Sequence, residues 1–186
     1  MIPSVSVVVL NWNSGPLGAE AARSVLAQSH PKVELVVVDN GSDDDSLAKI
    51  KAVAPEAVYV QLATNRGFAA GMNAGIAANR SDFVVPLNCD ATLDPDFVRS
   101  ALAVHWAHPQ TAIVGAKVRS ADHVSGPLDL TWTMRVAFRD TDRLTTCHKA
   151  DGSCPVMRRA ALDQVIETFG SGPYDESYDT YGEDLD

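Results

Sequence analysis

Over the first 118 residues of this chain, short and almost uninterrupted apolar runs alternate with longer stretches in which apolar residues recur at helical spacing. Val5 to Leu10 (VSVVVL) and Val33 to Val38 (VELVVV) are rich in β-branched residues, as strands buried on both faces of a parallel sheet require. Ala57 to Leu62 is a weaker third strand, Phe83 to Leu87 a fourth and Thr111 to Val118 a fifth. Between them, the spacing predicts a helix over 17–28 with Leu17, Ala21, Val25 and Leu26 on one face and Pro16 in its first turn. A second helix carries Leu47, Ile50 and Val53, with Ser42 or Asp43 as its cap. A third follows the glycine-spaced segment 65–75 and ends near Asn79; a fourth starts at Asp94-Pro95 and runs to about His108. The order β-α-β-α-β-α-β-α-β predicts an α/β fold, a mostly parallel central sheet with helices on both faces.

Beyond Ser120 the pattern weakens. Leu130 to Phe138 alternates faintly and reads as an edge strand or hairpin arm. Ser153 to Met157 is short and apolar, and Arg158 to Phe169 forms a helix with Leu162, Val165 and Ile166 inward. With no internal repeat and no low-complexity linker, the expected organisation is one domain over 1–186, regular over 1–118 and irregular over 119–186.

Composition narrows the partners. The chain has 186 residues, 46% of them hydrophobic, and a formal net charge of −9. Such acidity argues against a broad nucleic-acid surface, which needs clustered Lys and Arg. It leaves room for an anionic small ligand, because backbone N–H groups and a cation bind phosphate without net positive charge. Cys89, Cys147 and Cys154 are an odd number without metal-type spacing, which fits reduced thiols in the cytoplasm. The N-terminus lacks a basic region ahead of its apolar run, and no apolar stretch is long enough to span a bilayer. The expected location is the cytoplasm, with peripheral association at the inner face of the membrane left open.

The candidate chemistry lies where strands end. Open α/β sheets bind ligands at the carboxyl ends of their strands. Asn88-Cys89-Asp90 ends the fourth strand, and Asp90 there suits a hard divalent cation, Mg or Mn, whose remaining ligands are substrate phosphate and water. Asp94 and Asp96 suit a helix start. Asp39 ends the second strand, where a carboxylate accepts from a base N–H or a ribose hydroxyl; the alternative is a plain Asn40-Gly41-Ser42 turn with a helix cap. Asn11 and Asn13 follow the first strand and either line the same crevice or are ordinary loop residues. Gly67, Gly71 and Gly75 share one helical face, open to a ligand or to close packing, with packing favoured for Gly75. Asn65, Arg66 and Asn73 are harder to explain as core, and ligand contact is favoured for them. The first strand is not followed by a G-x-G-x-x-G fingerprint, and there is no G-x-x-x-x-G-K-[ST] phosphate loop. The acids from Asp175 to Asp186 read equally as a solvated tail.

The segments VSVVVLNWNS, LVVVDNGSDDDS, NRGFAAGMNAGI, VVPLNCDATLDPDF, GSCPVMRRAAL and YDESYDTYGEDLD, in that order, resemble the family-2 inverting glycosyltransferases, in particular their rhamnosyltransferase-like branch. The resemblance implies a GT-A fold and transfer of a sugar from a UDP- or dTDP-sugar, with inversion, to a hydroxyl of a carbohydrate, lipid-linked or small-molecule acceptor. By matching position, Asp39 would bind the pyrimidine base. Asn11, Asn13, Asn40, Gly41 and the loop with Asn65, Arg66, Gly67 and Asn73 would close around the nucleotide-sugar. Asn88 stands where the family's D-x-D-like motif has its first Asp, which leaves Asp90 as the metal ligand and Asn88 as a donor contact. Asp184, next to Glu183, matches the general base, and Asp186 a further acidic position. Family members usually continue past this motif, so nucleotide binding is expected more firmly than turnover. One alternative is a nucleotide-binding module without transfer. Another is a sugar-1-phosphate nucleotidyltransferase, which needs a glycine-rich, Arg-containing loop that Asn11 to Gly15 does not supply.

Overall fold

The computed structural model describes residues 1–119 and 154–177, together with the backbone of short strands between them. In chain order the elements are β1 (Val5–Asn11), α1 (Leu17–Leu26), β2 (Val33–Asp39), α2 (Ser46–Val53), β3 (Val58–Gln61), α3 (Gly67–Ala77), β4 (Phe83–Asn88) and α4 (Phe97–Ala107). There follow β5 (Ile113–Val114), β6 (Val118–Arg119), β7 (Val124–Ser125), β8 (Leu128–Leu130), β9 (Val136–Phe138), β10 (Val156–Arg158) and α5 (Arg159–Phe169). The main sheet is six-stranded in the order β3-β2-β1-β4-β10-β5. β1 pairs in parallel with β2 and with β4, and β2 in parallel with β3.

β1 is central and its side chains feed two cores. Val5, Val7 and Val9 face α1, α2 and α4 in one cluster that includes Ala21, Val25, Ile50, Val98 and Leu102. Val8 faces the other way, with Val36, Val38, Met72, Ile76 and Leu162, under α3 and α5. Covering both faces is what removes the polar alternation from these strands, and each such valine contributes about 1.5–2 kcal/mol by leaving water. α3 packs close because its glycines allow it. A Cβ on Gly75 would stand 2.3 Å from Val8 Cγ1, and one on Gly71 2.4 Å from Leu10 Cδ1, so packing accounts for both.

Several boundaries differ from the sequence reading, each for a local reason. Neither Ser42 nor Asp43 caps α2. The helix begins at Ser46 after Asp45, because the preceding turn is engaged with the end of β1. α4 begins at Phe97, since Asp94 first turns the chain by accepting from the Asp96 amide at 3.0 Å. On α1 the buried face is Gly18, Ala19, Ala21, Ala22 and Val25, while Leu17 and Leu26 are exposed, because small residues let the helix sit close to the sheet. On α5 Leu162 is buried and Val165 is exposed.

The largest departure concerns the fifth strand. Only Ile113–Val114 joins the main sheet; Val118–Arg119 pairs with β7 instead. β10 inserts antiparallel between β4 and β5, which a linear reading of elements could not foresee. The weakly alternating 130–138 stretch splits into the facing ends of β8 and β9, an antiparallel pair. Cys154 is buried, as a small core residue.

Candidate functional site

From β1 the chain steps outward through β2 to β3, then returns to the other side of β1 as β4. Such a reversal of strand order opens a crevice at the carboxyl ends of the strands. The register sets Asn11 beside Asp39 and Leu10 beside Asn88, so the ends of β1, β2 and β4 share one rim.

The rim is a set of turns joined by side-chain amides. Asn11 is fully buried. Its Nδ2 donates to Asp39 Oδ1 (2.8 Å), Ser46 Oγ (3.0 Å) and Ser42 Oγ (3.1 Å), and its Oδ1 accepts from Ser14 Oγ (2.5 Å). This amide is committed within the protein; its work is to fix Asp39. Asn13, in the left-handed region at φ 48°, accepts from the Asp43 amide (2.9 Å), and its own amide donates to Ser42 Oγ (3.0 Å). Asn tolerates that conformation better than other side chains. Asp44 Oδ2 accepts from the Gly15 amide (3.0 Å). Hydrogen bonds from the Ser46 hydroxyl, chiefly, and from the Ser46 and Gly15 amides hold the Asp44 carboxyl below its usual range.

The second tier joins the β2 end to the loop before α3. Asn40 is buried and its Nδ2 donates to Asn65 Oδ1 (2.9 Å) and the Gly67 carbonyl (3.0 Å), while its Oδ1 accepts from the Arg66 amide (3.0 Å). Asn65 Oδ1 also accepts from the Gly67 amide at 2.9 Å. Gly41, at φ +74°, is required here. A Cβ on it would lie 2.6 Å from the Thr64 carbonyl carbon, so any side chain would push the loop away. Asp39 is 5% exposed. Among the described residues no side chain donates to its Oδ2, so one oxygen of an oriented carboxylate remains to accept from a ligand.

Asn73, on α3, points elsewhere than expected. Its Nδ2 donates to the Tyr174 carbonyl (2.8 Å) and Glu176 Oε1 (3.0 Å), and its Oδ1 accepts from the Tyr174 amide (3.1 Å). Arg66 Nη2 reaches Glu176 Oε2 at 3.5 Å.

On the β4 side, Asn88 is half-buried and Asp90 exposed. Cys89 between them is half-buried against the β1 turn. Burial, then the Asp90 charge, pushes its thiol up, against hydrogen bonds with the Trp12 backbone and the Ser14 side chain. Trp12 stays exposed at the rim. Among the described residues no group of three or more His, Cys, Asp or Glu could enclose a metal. A lone exposed carboxylate with an amide two residues away suits a hard cation held mostly by substrate oxygens and water, not a closed protein site. Glu183, Asp184 and Asp186 lie outside the described residues.

Sequence reasoning missed Ser14, Ser42, Ser46 and Asp44 as the locks of the rim, and Tyr174 and Glu176 as the partners of Asn73. The signal for the first group was the hydroxyl- and acid-rich turn 40–46, NGSDDDS, facing the asparagine-rich turn 11–15, NWNSG. The second group is about a hundred residues from Asn73 in the chain, and nothing local announces the contact.

A family model described as Glycosyl transferase family 2 matches residues 6–166. The succinoglycan biosynthesis protein ExoO of Rhizobium meliloti is 38% identical over 123 residues, which are 65% of this chain and 35% of that protein. An uncharacterized glycosyltransferase of Nostoc is 30% identical over 125 residues, 66% of this chain and 38% of that protein. The chain thus spans a little over a third of the length of these curated relatives. Among solved structures, S. aureus TarS in complex with UDP superposes with a TM-score of 0.75 at 20% identity, covering 98% of this chain and 53% of that one. The mannosyltransferase PcManGT of Pyrobaculum calidifontis, in complex with GDP-Man and Mn2+, gives 0.70 at 21% identity, covering 99% and 50%. At such identities the structures establish a shared fold and no more.

Proposed function

The chain belongs to glycosyl transferase family 2, and we propose that it binds a UDP- or dTDP-sugar and transfers the sugar, with inversion, to an acceptor hydroxyl. The observation that carries this reading is the Asn11-locked Asp39 carboxylate at the strand-order reversal, with the Asp90 carboxylate across the same crevice. The relatives add to it: TarS was solved with UDP-GlcNAc, and ExoO is named for the biosynthesis of a polysaccharide.

In this reading Asp39 accepts from the pyrimidine N–H, and the hydrogen-bonded loop 65–67 and the Asn40-Gly41 turn close around the nucleotide. Asn88 contacts the donor. Asp90 would hold Mg or Mn, which when bound would neutralise charge building on the departing diphosphate. Asp184, flanked by Glu183, takes the proton from the acceptor hydroxyl on the face opposite the leaving group, as inversion requires. The acceptor is a carbohydrate, lipid-linked or small-molecule hydroxyl. No helix among the described residues is long and apolar enough to cross a membrane.

A thermal-shift panel tests the reading. UDP- and dTDP-sugars with Mn2+ should raise the melting temperature, because a ligand at about a hundred times its Kd adds about 2.7 kcal/mol to the folded state. No shift with either nucleotide, with or without metal, would sink it.

A further inference from the structure

The chain from Gly172 to Ser177 is bound to the donor-side loop by side chains that neither fold nor family reading explains. Asn73 is 8% exposed, and its whole amide is committed to this segment through the Tyr174 amide and carbonyl and the Glu176 carboxylate. Gly172 passes so close that a Cβ there would lie 2.3 Å from Asn73 Cγ. Tyr174 is buried, its ring edge-on to Phe68 at 5.6 Å between centroids. Phe68 belongs to the first turn of α3, directly after the Asn65-Arg66-Gly67 loop that Asn40 clamps.

Glu176 touches both the Asn73 side chain and Arg66 of the loop. One carboxylate oxygen takes the Asn73 amide at 3.0 Å and the other faces the Arg66 guanidinium at 3.5 Å. The ion pair is half-exposed and on its own adds little to stability. Its geometry matters more than its strength. A carboxylate fixed from below by a buried amide holds the free end of an otherwise mobile arginine at the loop around the nucleotide.

We propose that Glu176 is a positioning residue that makes the loop 65–67 and the segment 172–177 respond as one unit. A nucleoside diphosphate bound at the loop would then also order the segment, which leads directly to Glu183 and Asp184. The inference rests on the nucleotide-sugar reading above and deepens it, because it ties donor binding to the segment that precedes the candidate acids in the chain. Coupling of this kind is reciprocal: whatever holds the segment down also tightens the nucleotide.

Hydrogen exchange on the whole chain tests it, with UDP, dTDP and GDP in turn, each with Mn2+, as probes. In the wild type, the nucleotide that binds should slow exchange in peptides covering 64–68 and 172–177 together. In Glu176→Ala, ligand-free exchange over 172–177 should rise about tenfold, and nucleotide should protect 64–68 alone. Glu176→Gln keeps an acceptor for Asn73 but no charge for Arg66. It should restore ligand-free protection of 172–177 without restoring the nucleotide response, which a merely structural role would not separate. If nucleotide protects both segments in Glu176→Ala as in the wild type, the positioning role is wrong and the donor reading stands. If none of the nucleotides protects 64–68 in the wild type, the donor reading falls and this inference falls with it.

Discussion

The two ends of the central sheet are both dense in polar contacts, yet they are built to opposite purposes. At the amino ends of the strands, side chains close the backbone off. Arg159, buried at the start of α5, donates to the carbonyls of Asn79 (3.1 Å), Ile76 (3.3 Å) and Ser81 (3.3 Å), so a cation sits at the carboxyl end of α3 where the helix dipole favours it. Asp82 takes the Ser4 amide (2.7 Å) and hydroxyl (2.9 Å), and Asn79 is bonded to Glu34. At the carboxyl ends the bonds run between side chains and turns, and they leave one Asp39 oxygen and the Asp90 carboxylate facing out. The bonds at one end go mainly to backbone groups, although Arg159 Nη1 stays buried without a partner among the described residues; those at the other hold side chains in place and leave two carboxylates accessible. An end that is only structural has no reason to leave an oriented carboxylate half-used.

Breaking the carboxyl end at its centre should cost both stability and binding. Asn11→Ala removes four hydrogen bonds at a fully buried position and leaves Asp39 without its donor, a loss of about 3 kcal/mol by urea denaturation. The variant should also lose affinity for UDP and dTDP, read by calorimetry, because Asp39 is no longer oriented. Retained affinity would mean that Asp39 does not meet the base.

Breaking the amino end should cost stability alone. Arg159→Met keeps the apolar stem and leaves three carbonyls unpaired, offset in part because a charge is no longer buried. Burial already pulls the Arg159 pKa down from its usual value. The expected loss is about 2 kcal/mol with nucleotide affinity unchanged. A parallel loss of affinity would show that the two ends are not independent.

The same contrast explains what the sequence made legible. β1, β2 and β4 could be located because burial on both faces leaves runs that are mostly apolar, rich in valine in β1 and β2. Asp39 and Asp90 stood out as candidates because a carboxylate ending such a run has no core reason to be there. The directions of the asparagines could not be read. Asn11 and Asn73 are polar residues near a crevice, which suits a ligand contact, but both amides turn inward to bind the protein itself. His105 is a related case. Its Nε2 faces the Val156 carbonyl at 3.1 Å, its Nδ1 faces the Thr111 carbonyl at 3.2 Å, and burial lowers its pKa, so it is a core histidine joining α4 to β10. The insertion of β10 was illegible for a different reason: three residues carry too little pattern to declare a partner strand.

Asp90→Ala should separate the ends from the opposite side, with function changed and stability kept. Asp90 is exposed and without a hydrogen bond from any described side chain, so stability should move by no more than about 0.5 kcal/mol. The Mn2+ dependence of UDP or dTDP affinity should disappear. Calorimetry with and without Mn2+ checks it, and an undiminished metal effect would remove Asp90 from the metal's ligands.

The smallest expected effect is acidic and belongs to the amino end. The Ser4 amide and hydroxyl hold the Asp82 carboxyl below its usual 3.8 in the folded protein. A carboxyl depressed by folding contributes stability that is fully present above the unfolded value and is lost as pH falls through the folded one. Asp82 should therefore add to the steepness of acid unfolding below pH 3.8, while at neutral pH its small contribution is fully present and does not change with pH. Because the group is exposed, solvent screening keeps the effect small. Asp82→Asn should flatten the melting temperature's fall between pH 4 and pH 3 slightly, with no change in nucleotide affinity at pH 7. The comparison is sharpened by running Asp44→Asn beside it, since the Asp44 carboxyl is also depressed but lies in the rim. That variant should flatten the same acid limb and, by loosening Gly15 and Ser46, also weaken nucleotide binding. If both substitutions leave nucleotide affinity untouched, the turns of the rim are less tightly joined to the ligand than the Asn11 network implies.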